Sequence, residues 1–518
     1  MLELIELSKA ASADLEIPGF QKPPFPFQNA GILYATERKH VIIGDEMGLG
    51  KTIQGLGTVA LNDAFPALII TPASNKYQWL AEWKACMPEG ERDFVHVANK
   101  DTTEFTLLMC KAVITNYEQL HDGFTDKTKK DVKLSQLGQN LLNVNFKSII
   151  LDEAHYIKSA EAARTKAVME LRKIGSLVYR MVLTGTPMLN KPDEFYTLLK
   201  FLDRLDEFGG FWKFINEWCG MKQGKYRMKT KKGHDFMPLN EKLRSTCYIR
   251  RKKKDVLTEL PDKLRTSYFI DITNRKEYKN AEDDLINWVR NRVERDQEFM
   301  ASIAHLSDAE RQFAIEERKD FKAAAAERGE VMVRLTALKR LAAEGKLKAA
   351  KEWIDNFRLS GEKLVIFACH KFFLDELLKW YPTSCRLLSV MDAAERQAEV
   401  KRFQETDEQL FIGAQGTSAA NSPAGIGHTL TAASNTLHLE LGWTPGHMNQ
   451  CEDRCHRIGQ KSSCTAHYIL GRETIEEDLA NIIESKRTLS AQVVDGDEAV
   501  TESRILDELV EKLMEKVK

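Results

Sequence analysis

The sequence predicts an α/β fold of two parallel-sheet domains of similar design, separated by a large helical insertion. Three observations predict it. Short apolar runs ending in polar, glycine or proline residues recur in two separate series, as expected of strands buried on both faces with functional loops at their C-terminal ends. Between Pro187 and Leu364, 176 residues carry little strand character and show a helical period instead. The total of 518 residues exceeds what one core holds and favours two or three domains.

The elements follow in chain order. Residues 1–23 form an N-terminal segment whose start, "MLELIELSKA", is acidic and amphipathic, without the basic lead or small-residue cleavage site of a secretory signal. The first domain, 24–187, carries the runs "VIIGD" (41–45), "ALIITP" (67–72), "AVITN" (112–116), "SIILDEA" (148–154) and "RMVLTGTP" (180–187). Residues 188–345 read as helical insertions and linker. Leu285, Trp288, Val289 and Val293 share one helix face, and Ser307 with Glu310 forms a capping-box pattern. The second domain, 346–488, carries "LVIFACH" (364–370), "CRLLSV" (385–390), "LFIGAQ" (410–415), "NTLHLEL" (435–441) and "TAHYIL" (465–470). Thr474 and Glu477 repeat the capping pattern before a further helix. Residues 489–518 place Leu506, Leu509, Val510, Leu513 and Val517 on one stripe, expected to dock on the protein's own surface.

Composition narrows the function classes. Hydrophobic content of 43% is that of an ordinary globular protein, and no apolar run is long enough to span a bilayer. Nine irregularly spaced cysteines, an odd number, suggest free thiols in a reducing compartment. The 75 basic residues balance 76 acidic ones, so only their distribution speaks about nucleic acid. Two basic runs, "KQGKYRMKTKK" (222–232) and "RRKKK" (250–254), are candidates for phosphate contact, although a single such run is more often a solvated face.

"GDEMGLGKTIQ" (44–54) follows a strand and opens a helix, the context a phosphate-binding loop requires. Gly48 and Gly50 let the backbone curl until its N–H groups face phosphates, Lys51 reaches the β- and γ-phosphates, and the Thr52 hydroxyl serves Mg²⁺. Asp45 stands where the general loop pattern has its first glycine. "LDEAH" (151–155) closes a later strand, with Asp152 placed to hold Mg²⁺ through its water shell and Glu153 to polarise the attacking water. In-line attack on a γ-phosphate also needs positive charge, which this domain lacks beyond Lys51.

"QCEDRCHRIGQ" (450–460) supplies it. Cys451, Cys455 and His456 would need further ligands for a zinc site, and Cys464 stands alone with no CxxC or HxxxH in the chain. Arg454 and Arg457, three apart, are expected on one helix face, reaching across an interdomain cleft to the γ-phosphate.

This set of motifs resembles the Snf2 family of superfamily 2 helicase-like ATPases from about residue 24 to 495. "FQNAG" (27–31) is similar to the family's adenine-reading motif, with Gln28 as the reader. "DEMGLGKT" is similar to its version of the phosphate loop, which accounts for Asp45 in the nucleotide site. "TPASNKYQWLAEW" (71–83), "DEAH", "LTGTP" (183–187), "YIRRKKKDVLTELPDK" (248–263), "AGIGHTLTAA" (424–433) and "QCEDRCHRIGQ" resemble further family motifs in the family's order. The most similar branch is the distant one of fork-remodelling, annealing helicases. Two departures stand out: Ala424 and Thr429 replace a glycine and an asparagine, and "LSVM" (388–391) replaces an Asp-Gly-Ser-Thr stretch.

The resemblance implies two RecA-like domains, ATP and Mg²⁺ as cofactors, and Gly425 and Gly427 as further nucleotide-site residues. It implies ATP-driven translocation along double-stranded or forked DNA, with Ser74, Thr115, Arg250, Arg251, His370 and Thr431 as DNA contacts. His370 reads equally well as a satisfied histidine at a strand end, and Ser74 and Thr115 as helix caps. A strand-separating helicase and an ATP-gated clamp that displaces DNA-bound proteins are the alternatives. No membrane partner is expected, and the motor is expected to be monomeric. The expected site of action is the cytoplasm of a bacterial or phage-infected cell, or the nucleus in a eukaryote. With no accessory annealing, histone-reading or zinc-binding domain recognisable, strand annealing and nucleosome targeting are not expected to carry over.

Overall fold

A computed structural model describes residues 2–125, 131–188, 192–223, 228–230, 234–302, 305, 321–415, 428–443, 445–490 and 509. The sites proposed at Gly425 and Gly427, the Ser307–Glu310 cap, part of the 222–232 run and all of the C-terminal stripe except Leu509 lie outside these residues.

Seventeen strands are present among the described residues. The first sheet takes β1 (His40–Ile43), β2 (Ala67–Thr71), β3 (Val95–Val97), β4 (Ala112–Asn116), β7 (Ser148–Asp152), β8 (Tyr179–Leu183) and β11 (Tyr248–Ile249), in the order β11-β1-β8-β7-β2-β4-β3. The second takes β12 (Lys263–Ile270), β13 (Leu364–Ala368), β14 (Cys385–Leu387), β15 (Leu410–Ala414), β16 (Asn435–His438) and β17 (Cys464–Gly471), in the order β12-β17-β16-β13-β15-β14. Every pairing in both sheets is parallel. Two antiparallel hairpins stand apart: β5 (His121–Phe124) with β6 (Val132–Leu134), and β9 (Met221–Gln223) with β10 (Met228–Thr230). The two-domain parallel α/β fold is therefore as expected.

Alternation explains why the strand runs are apolar throughout. In the first sheet Ile42, Leu68, Ile70, Val113, Ile149, Leu151 and Val182 face one core, while Val41, Ile43, Ile69, Ile114, Ile150 and Leu183 face another. The second sheet divides likewise, with Leu364, Ile366, Ile412 and Leu437 on one side and Val365, Phe367 and Phe411 on the other. Each fully buried Val, Leu or Ile contributes about 1.5–3 kcal/mol relative to exposure. Helices must therefore cover both faces, which leaves the C-terminal strand ends for function.

The region 188–345, read as helical insertions and linker, also supplies strands to both sheets. Its strand β11 completes the first sheet beside β1, and β12 opens the second beside β17. Both are edge strands, and β11 spans only two residues, too short for a periodic signal. Helices do dominate the rest: Arg275–Ser302 and Phe321–Arg358 pack together, with Leu285 and Leu335 in a shared core. The second of these helices also crosses the expected boundary at residue 345. Its Lys346 is fully buried and donates to the Leu439 and Ile469 carbonyls and to both oxygens of Glu476, at 2.7–2.9 Å. Glu476 opens the helix Ile475–Ser490, where Thr474 Oγ1 accepts from the Glu476 N–H at 3.2 Å.

Candidate nucleotide cleft

Between the two sheets lies a cavity of about 320 Å³. Gln28, Gly48, Gly50, Lys51, Thr52, Asp152 and Glu153 line it from the first domain, and Thr429, Arg454, Arg457 and Ile458 from the second. The structure thus brings together the phosphate-loop, acidic and arginine motifs.

The loop turns where glycine allows it. Gly48 and Gly50 both have positive φ, at 87° and 70°, and Gly50 precedes the helix Lys51–Leu61. A Cβ on Gly50 would stand 2.3 Å from Gln28 Nε2. Gln28 is held there by its own bonds: Nε2 donates to the Leu49 carbonyl at 3.1 Å, and Oε1 accepts from the Phe25 N–H at 2.9 Å. Lys51 Nζ donates to the Asp45 carbonyl at 2.9 Å. Burial pulls the Lys51 ammonium down to about 8, against the nearby charges of Glu153 and Asp45.

Asp152 ends β7 with its carboxylate oriented on all sides. Oδ2 accepts from Thr71 Oγ1 and Trp79 Nε1, each at 2.8 Å, and from Asn75 Nδ2 at 3.4 Å. Oδ1 accepts from the Glu153 N–H at 3.0 Å, and the Asp152 carbonyl accepts from Tyr117 Oη at 2.6 Å. These contacts hold Glu153 in a left-handed conformation at φ 47°, a local strain placed at the reacting centre. Burial raises the Asp152 carboxyl, and the adjacent Glu153 charge raises it further. Burial alone would raise Glu153 too, but the His155 imidazole, whose Nδ1 stands 3.3 Å from Glu153 Oε2, and the charges of Lys51 and Arg454 hold it at about 2. It is therefore ionised at neutral pH. The hard oxygen donors of Thr52 and Asp152, with the raised carboxyl, fit a Mg²⁺ ion held largely through water.

The arginine wall departs from expectation in one respect. The helix Pro445–Glu452 ends before Arg454 and Arg457, which occupy the turn that follows rather than one helix face. Carbonyl acceptors hold them: Arg454 Nε donates to Gln450 O at 3.1 Å and Arg457 Nε to Asp453 O at 2.8 Å. Arg457 Nη1 donates to Thr429 Oγ1 at 3.3 Å, so the threonine departure noted in the sequence supports an arginine. Burial, with Arg454 alongside, pulls Arg457 down to about 9. Cys451 and Cys455 are fully buried members of an apolar core.

Asp45 requires a correction. It is fully buried and turns away from the cavity to pair with Arg251, while accepting from Gln54 Nε2 at 2.8 Å. Arg251 is a second correction, because its guanidinium is buried against Asp45, the Phe27 carbonyl and Gln54 Oε1 instead of lying on a DNA-facing surface. Arg250 is also turned inward, onto the Gly44 and Gly185 carbonyls at 2.7 and 3.0 Å. Only Lys254 of the 250–254 run is exposed. Thr115 is a third correction: it is fully buried within β4, its hydroxyl on Gln119 Oε1 at 3.3 Å. Ser74, in the single turn after β2, is half-buried and bonds Asn75. His370 caps the helix after β13, its Nδ1 against Glu440, as a satisfied histidine would be. Thr431 lies before β16, its carbonyl accepting from Gln460 at 3.2 Å.

Sequence reasoning missed Thr71, Asn75 and Trp79 as the holders of Asp152, and Gln54 as the partner of Asp45. The run "TPASNKYQW" contains the first three at spacings that only the strand-to-helix turn makes convergent.

Comparison with known proteins gives consistent likenesses. The family model described as the SNF2-related domain matches residues 27–319. The chain is 29% identical over 497 residues to the "SWI/SNF-related matrix-associated actin-dependent regulator of chromatin subfamily A-like protein 1 homolog" of Caenorhabditis elegans, covering 94% of this chain and 64% of that protein. It is 28% identical over 481 residues to the human "DNA annealing helicase and endonuclease ZRANB3", covering 91% of this chain and 40% of that one. The chain thus spans between two-fifths and just under two-thirds of these relatives. Among solved structures, the "Sulfolobus solfataricus SWI2/SNF2 ATPase core in complex with dsDNA" aligns with a TM-score of 0.42 at 22% identity, over 93% of this chain and 95% of that one.

Proposed function

Because this chain belongs to the family of SNF2-related domains, helicase-like ATPases, we propose that it hydrolyses ATP to move along double-stranded DNA and remodel DNA or protein–DNA complexes. The observation that carries the reading is the shared cleft, in which Lys51 and Glu153 from one sheet face Arg454 and Arg457 from the other.

The chemistry follows from this chain's own groups. Gln28 lies where the adenine edge enters, and the N–H groups around Gly48 and Gly50 cradle the phosphates. Glu153, ionised, accepts a hydrogen bond from the attacking water and aligns it with the γ-phosphorus. The water oxygen bonds to phosphorus as the bond to the β-phosphate oxygen breaks, leaving ADP and phosphate. Lys51, Arg454 and Arg457 neutralise the charge that spreads over the transferring group. Mg²⁺, held by Thr52 and Asp152, would add charge compensation at the β- and γ-phosphates.

Movement comes from differential affinity. ATP favours the closed cleft because only there do both arginines reach it, and hydrolysis removes that preference. The motor is proposed to act as a monomer wherever cellular DNA is held. Ser74, His370 and Thr431 are the proposed backbone contacts, with the basic run 222–232 in a supporting role. Binding should then be salt-sensitive and nearly sequence-blind. Likeness to a protein named as a DNA annealing helicase favours DNA as the substrate.

The test is the steady-state ATPase rate with no DNA, single strands, plain duplex and forked duplex, beside Lys51→Ala. Strong stimulation by plain duplex, followed by triplex displacement, is the expected result. Preference for forks would move the remodelling reading ahead, and indifference to all nucleic acid would overturn the DNA-motor reading. Changing the lysines of the 222–232 run to glutamate should weaken duplex binding at moderate salt, and unchanged affinity would reject that role.

A further inference from the structure

Lys253 is an unusual residue in an unusual place. It follows β11 and the arginines that lock onto the phosphate loop, yet it is 3% exposed and stands outside the cleft wall. Its two ends belong to different halves of the molecule. The backbone N–H donates to Glu46 Oε2 in the phosphate loop at 2.7 Å, and the Glu46 N–H in turn donates to the Arg251 carbonyl at 3.0 Å. The ammonium reaches into the second domain, donating to the His456 carbonyl at 2.6 Å and lying 3.1 Å from Asp453 Oδ1. Those two residues flank and alternate with the arginines of the turn 453–457.

The contacts continue to a guanidinium. Asp453 offers its carboxylate to Lys253 and its carbonyl to Arg457 Nε at 2.8 Å. His456 Nε2 stands 2.8 Å from the Pro261 carbonyl and its Nδ1 3.4 Å from Lys253 Nζ. The consistent tautomer donates from Nε2 and accepts at Nδ1. Gly48 packs against both partners: a Cβ there would meet Arg457 Cγ at 3.1 Å and Lys253 Cε at 3.3 Å.

We infer that Lys253 is the positioning residue that registers the arginine turn, and Arg457 above all, against the phosphate loop. This rests on the ATPase reading of the same cleft. Lys253 joins the loop to the turn through one side chain, so Arg457 arrives at a fixed height over the nucleotide rather than anywhere along the seam. A lysine suits the role because its ammonium bonds a carboxylate and a carbonyl at once. A second cation, Lys263 of β12, holds the same Asp453 oxygen at 2.8 Å. That pairing lies within the second domain. It keeps Asp453 compensated when Lys253 is changed, so the variant loses registration without stranding a buried charge.

The test compares wild type, Lys253→Met, Lys253→Arg and Lys263→Met as full chains. It measures duplex-stimulated kcat and KM, affinity for ADP and for ADP–beryllium fluoride, and the melting midpoint. Arginine fingers are worth about 10³–10⁵ in kcat, and a misplaced one should lose about 10- to 100-fold of that. Lys253→Met is expected to show this fall in kcat with KM within about threefold. It should also lose most of the preference for the γ-phosphate mimic over ADP while keeping ADP affinity. Lys253→Arg should restore part of both, and Lys263→Met should lower the melting midpoint more than it changes kcat. A Lys253→Met protein that keeps wild-type kcat and the mimic preference overturns the inference. So does one whose only change is a lower melting midpoint. If wild type itself binds neither nucleotide, the ATPase reading falls, and this inference with it.

Discussion

Arg250–Arg251 and Arg454–Arg457 are two pairs of closely spaced arginines, and Arg251 and Arg454 are almost equally buried, at 2% and 1%. What faces them differs. Arg251 meets the buried carboxylate of Asp45 and joins the phosphate loop to the strand beside it. Arg454 and Arg457 point into the cleft, where backbone carbonyls and the Thr429 hydroxyl orient them. Burial and the neighbouring Arg454 make the charge on Arg457 costly, and the carboxylates of Asp453 and Glu153 offset this only in part. Burial alone therefore does not distinguish the two pairs. The kind of group that holds each guanidinium does.

The largest effect should come from Arg457→Ala. Duplex-stimulated kcat is expected to fall by about 10³-fold or more, with the melting midpoint unchanged or slightly raised. A large loss of stability would break the comparison. Arg251→Ala should do the reverse, costing about 3–5 kcal/mol in chemical denaturation because Asp45 is left buried and unpaired. Adding Asp45→Asn should recover much of that loss, and a double variant as unstable as the single would deny the pairing.

Next in size is a pH effect at Lys51, a half-buried cation that also lines the cleft. Its folded pKa of about 8 lies below the unfolded 10.5, so between those values the unfolded chain binds more protons. Stability from this group should rise with pH across that window. Nucleotide affinity should fall there, by up to about tenfold per pH unit, because the neutral amine no longer attracts phosphate. Calorimetry above pH 8 should show proton uptake on ADP–beryllium fluoride binding. The smallest effect is expected from Thr429→Val, a loss of about two- to fivefold in kcat with the fold intact, since one neutral hydrogen bond is removed.

The comparison also marks what could be read from the chain. The convergence of Lys51, Glu153, Arg454 and Arg457 on one cleft was legible because glycines, acids and arginines at fixed spacing after apolar strands form a recognisable pattern. The strands of the two sheets, β3, β11 and β12 apart, were legible for the same reason that they form, being apolar runs buried within the sheets. The Asp45–Arg251 pair was not, because its members lie 206 residues apart and a basic run ordinarily faces solvent. Edge strands β3, β11 and β12 escaped notice because the first two are only three and two residues long and the last is largely exposed. Thr115 misled because a polar residue near a strand end gives no sign of how deep the sheet buries it.

Strands β11 and β12 also set a leash. Thirteen residues, 250 to 262, carry the described chain from the edge of one sheet to the edge of the other. The leash is tied down at both ends, by Arg250, Arg251 and the Lys253 backbone on the first half and by the Pro261 carbonyl against His456 on the second. Between those ties only residues 254–260, folded as a helical turn and a tight turn, could be drawn out, to about 25 Å at full extension. The halves of this machine can swing and twist about that tether, but their travel apart has a ceiling written into seven residues.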